Sequence, residues 1–230
     1  MSRQLALGLR LKASARFDNF IAESSAELVD QLQRCASGQG ETFFACWGAP
    51  GSGKSHLLQA ACQHAADAGR SVSYVSLRDH AALEPELLEG WENFDLVCID
   101  DIDAIAGDAR WETALFHLYN RIRERGAQLI ISAARPPARL DIDLADLRSR
   151  LSWGVVYQLQ PLRDQQLLQA LQMRARERGC EIPDDTAAYL LKRLPRDTAS
   201  LFDMLEHLDQ ASLVAQRKLT VPFVKAVLNL

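Results

Sequence analysis

The chain has 230 residues, with 26 Lys and Arg against 30 Asp and Glu, for a formal net charge of −4. That length suits one α/β core with a small appended domain, and a composition 48% hydrophobic and 24% charged excludes fibrous and disordered classes. The acidic balance argues against a protein whose main task is coating nucleic acid, because that affinity comes from Lys and Arg on phosphates.

Residues 1–23 carry no helical period. Leu5, Leu7, Leu9 and Leu11 alternate with smaller or polar residues, an extended pattern. Ser24-Ser-Ala-Glu27 then has the form of a capping box, opening a helix with Leu28, Leu32 and Cys35 on one face and a stop at Gly38. From Phe43 short apolar runs alternate with helical stretches. The predicted strands are Phe43–Trp47, Val72–Leu77, Asp95–Ile99, Ala127–Ser132 and Val155–Leu159. The intervening helices are predicted over 54–68, 78–89, 109–125 and 143–151. In the third of these Trp111, Leu115, Leu118, Tyr119 and Ile122 share one face.

This alternation predicts an α/β fold: a mainly parallel sheet covered by helices on both faces. After Pro161 the pattern is helical only, over 164–178, 184–194, 197–216 and 220–229. A flexible segment over 1–12, an α/β core over 13–161 and a small all-α domain over 162–230 are therefore expected. Cys35, Cys46, Cys62, Cys98 and Cys180 are odd in number and without a CxxC, which fits free thiols in a reducing compartment. The first residues lack a signal-type apolar run, and no stretch is long enough to span a membrane, so the expected address is cytoplasmic.

Gly48-Ala-Pro50-Gly51-Ser52-Gly53-Lys54-Ser55 fits G-x-x-x-x-G-K-[ST] without a gap. Glycines let backbone N–H groups turn around a phosphate where a Cβ would clash. Lys54 reaches the β- and γ-phosphates, Ser55 ligates Mg²⁺, and the following helix, with His56 in its first turn, points its positive dipole end at the anion. Chance would give the pattern in roughly one such chain in a hundred; a strand before it and a helix after it make chance less adequate still. Leu96-Val-Cys-Ile99 leads to Asp100 and Asp101. Asp100 stands where a strand-end acid holds Mg²⁺, directly or through water, and Asp101 where one orients an attacking water. A P-loop kinase uses a similar cradle, but paired acids at this strand end favour an ATPase.

The P-loop, the Asp-Asp strand end and the helical C-terminal region together resemble an AAA+ ATPase. Phe17-Asp-Asn-Phe20, Lys54-Ser-His-Leu-Leu58 and Leu147-Arg-Ser-Arg150-Leu-Ser-Trp153-Gly154 resemble segments of the ATPase domain of the replication initiator DnaA. With Gln4-Leu-Ala-Leu-Gly-Leu9 and Gln216-Arg-Lys-Leu-Thr-Val-Pro-Phe-Val-Lys225, essentially the whole chain is similar to the Hda-like family of DnaA regulators. No DnaA-type helix-turn-helix domain is expected after the lid. The resemblance implies ADP or ATP with Mg²⁺ as ligands. It makes Arg150 an arginine finger reaching a neighbouring DnaA protomer, where an always-charged guanidinium stabilises charge developing on the γ-phosphate. Arg148 is the secondary candidate, and a solvated helix face is the plain alternative for both.

Gln4, Leu5, Leu7 and Leu9 resemble the peptide by which that family docks on the DNA polymerase sliding clamp (the beta subunit). The same alternation also describes an edge strand on the core; the terminal position favours the peptide. DNA would then be reached mainly indirectly, with no membrane contact, a nucleoid association through the clamp, and a homodimer compatible with pairing AAA+ edges.

Two departures stand out. Ala134 occupies the place of an acidic sensor residue, leaving Ser132 as the polar candidate. Ala199 occupies that of the lid's sensor arginine, with Arg196 nearly one turn earlier. Both imply a site that holds nucleotide, ADP as a structural ligand, with weak hydrolysis of its own. The expected function is a clamp-bound adaptor that stimulates ATP hydrolysis by DnaA and so restrains initiation of replication. The rivals are a self-sufficient loader ATPase acting on DNA, such as a helicase loader, and a DNA-binding initiation module.

Overall fold

The computed structural model describes residues 15–21, 25–193, 198–215 and 217–228, the Ala199 side chain excepted. Two compact units emerge. One takes in the described residues up to Ala49 and from Gly53 to Gln160; the other runs from Pro161, with Pro50–Ser52 grouped with it.

In the first unit, β1 (Phe43–Trp47), β2 (Val72–Ser76), β3 (Leu96–Asp100), β4 (Gln128–Ala133) and β5 (Val155–Gln158) form one sheet in the order β2-β3-β4-β1-β5. Every pairing is parallel. Side chains alternate across it as the pleat requires. Phe43, Ala45, Val97, Ile99, Leu129 and Ile131 pack on one face with Trp111, Leu115, Leu118 and Ile122 of α3 (Ala109–Arg125). Phe44, Cys46, Leu96, Cys98 and Ile130 pack on the other, with Leu28 and Leu32 of α1 (Ala26–Ala36) and Leu57, Leu58 and Ala61 of α2 (Lys54–Asp67). Burial on both faces is why β1, β3 and β4 read as largely apolar runs.

Asp108 starts α3 by accepting hydrogen bonds from the Arg110 and Trp111 N–H groups, at 3.0 and 3.3 Å. The capping box expected at Ser24–Glu27 is not the start of α1. Ser24 lies outside the described residues, Ser25 is the N-cap, and its side chain makes no capping bond. The helix predicted over 78–89 is also absent. Three 3₁₀ turns, His80–Ala82, Pro85–Leu88 and Trp91–Asn93, take its place. Pro85 explains the difference, because it has no N–H to continue a helix and forces Glu84 into extended backbone, at φ −111° and ψ 143°. A short helix, α4 (Ala145–Arg150), precedes β5.

The second unit holds α5 (Asp164–Glu177), α6 (Asp184–Arg193), α7 (Thr198–Ala215) and α8 (Val221–Leu228) around Leu171, Ala175, Leu190, Leu205, Leu208, Leu219 and Val224. Arg178 ties α7 to the end of α5 through Glu206 and Asp209, at 3.2 and 3.6 Å. No helix among the described residues is long and apolar enough to cross a membrane.

Candidate nucleotide site and arginine face

In an all-parallel sheet every strand delivers its C-terminal end to the same edge, where α/β folds gather ligand-binding groups. Here β1 delivers the Gly48–Ser55 loop, β3 delivers Asp100 and Asp101, and β4 delivers Ser132 and Ala134. Period two does the finer placement. Asp100 shares a face with Leu96 and Cys98, the face on which α2 packs, and Ser132 shares it with Ile130.

Lys54 is buried, with its ammonium donating to the Gly48 and Ala49 carbonyls at 2.8 and 3.2 Å. The lysine thus spans its own loop. Gly53, the N-cap of α2, has φ +94° and offers no side chain to the first-turn N–H groups. A Cβ there would stand 2.6 Å from Cε2 of Phe20, so only glycine lets the loop pass under that ring. The Ser52 hydroxyl is buried with no hydrogen-bond partner. A buried lysine, open helix N–H groups and an orphaned hydroxyl in one short loop are the donor set that a phosphate chain satisfies. The residues therefore fit a nucleotide polyphosphate. His56 faces elsewhere in the same turn: its ring nitrogen meets the Arg16 carbonyl at 2.9 Å and its ring lies 5.9 Å from that of Phe20.

Asp100, 1% exposed, has both oxygens engaged. Ser132 donates to Oδ1 in a short bond, and the Tyr74 hydroxyl donates to Oδ2 at 3.0 Å. Gln59 of α2 donates to Tyr74 in turn, at 3.2 Å. Tyr74 and Gln59 were not among the candidates; the signal for Tyr74 was its place on β2 level with Cys98, on the same face as Asp100. Burial pushes the Tyr74 phenol far above its ordinary range, with the nearby Asp100 charge adding to it, so it acts as a donor.

Asp101 has a left-handed backbone, φ 57°, unusual for a residue with a side chain. Its N–H donates to Ser132 Oγ, and its carboxylate meets Arg78 at 3.1 Å and Ser76 at 3.3 Å. Burial raises its pKa, Asp100 adds to that, and Arg78 opposes it. At Ala134, the Asp103 carboxylate accepts the backbone N–H at 2.9 Å, so an acid reaches this position from another loop. Mg²⁺ needs only one or two protein donors beside substrate phosphates, and Ser55 and Asp100 are the residues that would hold it, Asp100 exchanging one of its present donors. Among the described residues no group of three or more His, Cys, Asp or Glu forms a separate metal site.

Elsewhere in the same unit, Leu147 and Leu151 bury one side of α4 and the turn after it. Their i, i+4 spacing turns Arg148 out to solvent, where it donates to the Ile142 carbonyl at 3.0 Å, and leaves Arg150 half-buried beside α3. There Arg150 donates to Asn120 Oδ1 and lies 4.8 Å from the centre of the Phe116 ring. Among the described residues no carboxylate pairs with it. Gln4, Leu5, Leu7, Leu9 and Arg196 lie outside the described residues.

A family model for the bacterial DnaA ATPase domain matches residues 11–158. The chain belongs to that family. A second model, for the lid domain of Hda, matches residues 164–228, so a DnaA-type AAA+ module is followed by an Hda-type lid. Among solved structures, domain III of Thermotoga maritima DnaA is similar at a TM-score of 0.80 and 19% identity, over 96% of this chain and 98% of that one. AMPPCP-bound DnaA from Aquifex aeolicus matches at 0.71 and 24%, over 87% and 66%. A Thermotoga maritima RuvB variant matches at 0.71 and 16%, over 96% and 73%. At such identities these likenesses establish the fold, and the family match places the chain among DnaA-related replication proteins.

Proposed function

We propose that this protein is a nucleotide-binding adaptor that inactivates the initiator DnaA. Docked on the DNA-loaded sliding clamp through Gln4, Leu5, Leu7 and Leu9, it pairs its AAA+ module with ATP-bound DnaA and extends Arg150 toward the γ-phosphate there. Hydrolysis leaves ADP-bound, inactive initiator. The observation that carries this reading is a DnaA-type ATPase module that keeps Arg150 at a helix end, without a carboxylate partner among the described residues, and continues into an Hda-type lid.

The protein's own site binds ADP or ATP. Gly48, Pro50, Gly51, Ser52 and Gly53 wrap the phosphates with backbone N–H groups, and His56 lies in the first turn of the helix aimed at them. Lys54 leaves the loop carbonyls to meet the β- and γ-phosphates, and Ser55 with Asp100 holds Mg²⁺, which supplies charge neutralisation. Asp101 is held by Arg78 and Ser76, which supports weak hydrolysis in this site: a carboxylate already paired is a poor orienter of water. The weight of catalysis then falls on Arg150 in trans, where such fingers contribute about 10³–10⁵ in rate.

The test measures hydrolysis of ATP pre-bound to DnaA, with and without clamp on DNA. Wild type should stimulate only with the clamp, Arg150→Ala should lose stimulation by at least about 10³, and Gln4→Ala should lose the clamp dependence. Full stimulation by Arg150→Ala removes the finger; stimulation indifferent to the clamp removes the docking peptide.

A further inference from the structure

Trp153 is the one exposed tryptophan among the described residues, at 46%, while Trp91 and Trp111 are buried and Trp47 is partly buried. It is not loosely held. Its backbone N–H donates to the Arg150 carbonyl at 3.0 Å. The next residue, Gly154, has φ +77°, and a Cβ there would meet the Phe43 carbonyl at 2.7 Å. The chain is thus pinned against β1 immediately after the ring.

Two guanidinium groups lie on that ring: Arg123 of α3, 5.0 Å from its centre, and Arg150, 5.9 Å from it. Neither has a carboxylate partner among the described residues, in a chain carrying 30 acidic side chains. Two like charges brought to one ring repel each other, and the negative ring face only partly offsets that. An anion placed between them removes the repulsion and gains two charge-assisted contacts.

We infer that Arg123 and Trp153 form, with Arg150, a dicationic docking face for the phosphate-bearing edge of a nucleotide-loaded DnaA-type module. Trp153 is the positioning residue, and Arg123 is a second anion-facing cation alongside the finger. The assignment rests on the Arg150 reading above and adds to it. Charge complementarity selects the occupant: an aromatic ring carrying two guanidiniums without carboxylate partners among the described residues suits a polyphosphate better than an apolar peptide. Geometry divides the labour. Arg150 contributes to the chemical step, whereas Arg123 and Trp153 set how tightly and in what orientation the partner is held.

The experiment uses the full chain with clamp on DNA and ATP-loaded DnaA, recording stimulated hydrolysis as a function of the chain's concentration. Arg123→Gln and Trp153→Leu should each raise the half-saturating concentration about 5- to 10-fold, with a smaller change in the maximal rate. Trp153→Phe, which keeps an aromatic face, should recover most of the loss. Acrylamide quenching of the emission that distinguishes wild type from Trp153→Phe should fall when ATP-loaded DnaA is added.

Unchanged half-saturation in both variants, while Arg150→Ala still abolishes stimulation, overturns this assignment and leaves the finger standing. If Arg150→Ala keeps full stimulation, the underlying reading fails instead. Protection of Trp153 on concentrating this chain alone would mark a self-association face and also overturn the proposal.

Discussion

The two charged regions of the core unit solve opposite problems. At the carboxyl edge of the sheet the charged groups are buried or half-buried and have found partners within the chain, while the Ser52 hydroxyl is left for a ligand: Lys54 on its own loop, Asp100 between Ser132 and Tyr74, Asp101 on Arg78. On the α3–α4 face the Arg123 and Arg150 guanidiniums meet, among the described residues, only rings and an amide. A buried charge without a partner costs several kcal/mol, so the charges of the first region must be paired even before a ligand arrives. An exposed guanidinium such as that of Arg123, or a half-buried one such as that of Arg150, carries little of that penalty and can remain open to another molecule. The distinction separates a site that holds a small ligand from a face that addresses a partner.

The largest expected break of this contrast is Lys54→Ala. Loss of a charged contact to the phosphates should weaken ADP and ATP about 100-fold, measured by isothermal titration of nucleotide-stripped protein. If the wild type itself binds neither nucleotide at millimolar concentration, the phosphate-loop reading fails.

A second comparison sets the two regions side by side in stability. Ser132→Ala leaves Asp100 and the Asp101 N–H each short of a partner in the interior, and should cost about 1–3 kcal/mol in urea unfolding. Trp153→Ala should cost at most about 1 kcal/mol, because the ring is half open and its cation contacts are weak. Equal losses would show that the exposed face is a structural element rather than a docking one.

The smallest effect concerns Asp95 at the start of β3, whose carboxylate accepts from the Ser71 hydroxyl and N–H at 2.6 and 2.7 Å. These bonds lower its pKa. The charged form is therefore favoured in the folded chain: its stabilisation is complete above the ordinary carboxylate range and is lost as pH falls through the folded value. Asp95→Asn should remove that acid dependence below about pH 4, with a loss at neutral pH under about 1 kcal/mol.

Local patterning carried far in this chain. Alternating apolar runs and stripes of period 3.6 located the five strands within a residue or two, the α3 stripe and the four helices of the lid, because burial of one face or two leaves a direct periodic trace. The P-loop was legible for a similar reason: the backbone needed around a phosphate restricts residue type position by position. The stretch after β2 was misread as a helix because apolar content outweighed one proline, and a missing N–H at Pro85 governs the whole segment.

What sequence by itself determined, then, was an acidic chain of 230 residues holding one phosphate-loop core and a helical lid. Only tertiary structure decided that Tyr74 and Ser132 both hold Asp100, that Asp103 reaches Ala134, and that Arg123 and Arg150 share the ring of Trp153. Each of these joins residues 27 to 32 positions apart, save for the shorter steps from Tyr74 to Asp100 and from Arg150 to Trp153. Such pairs leave no local period. They follow from strand order and helix placement, which packing of the whole core fixes.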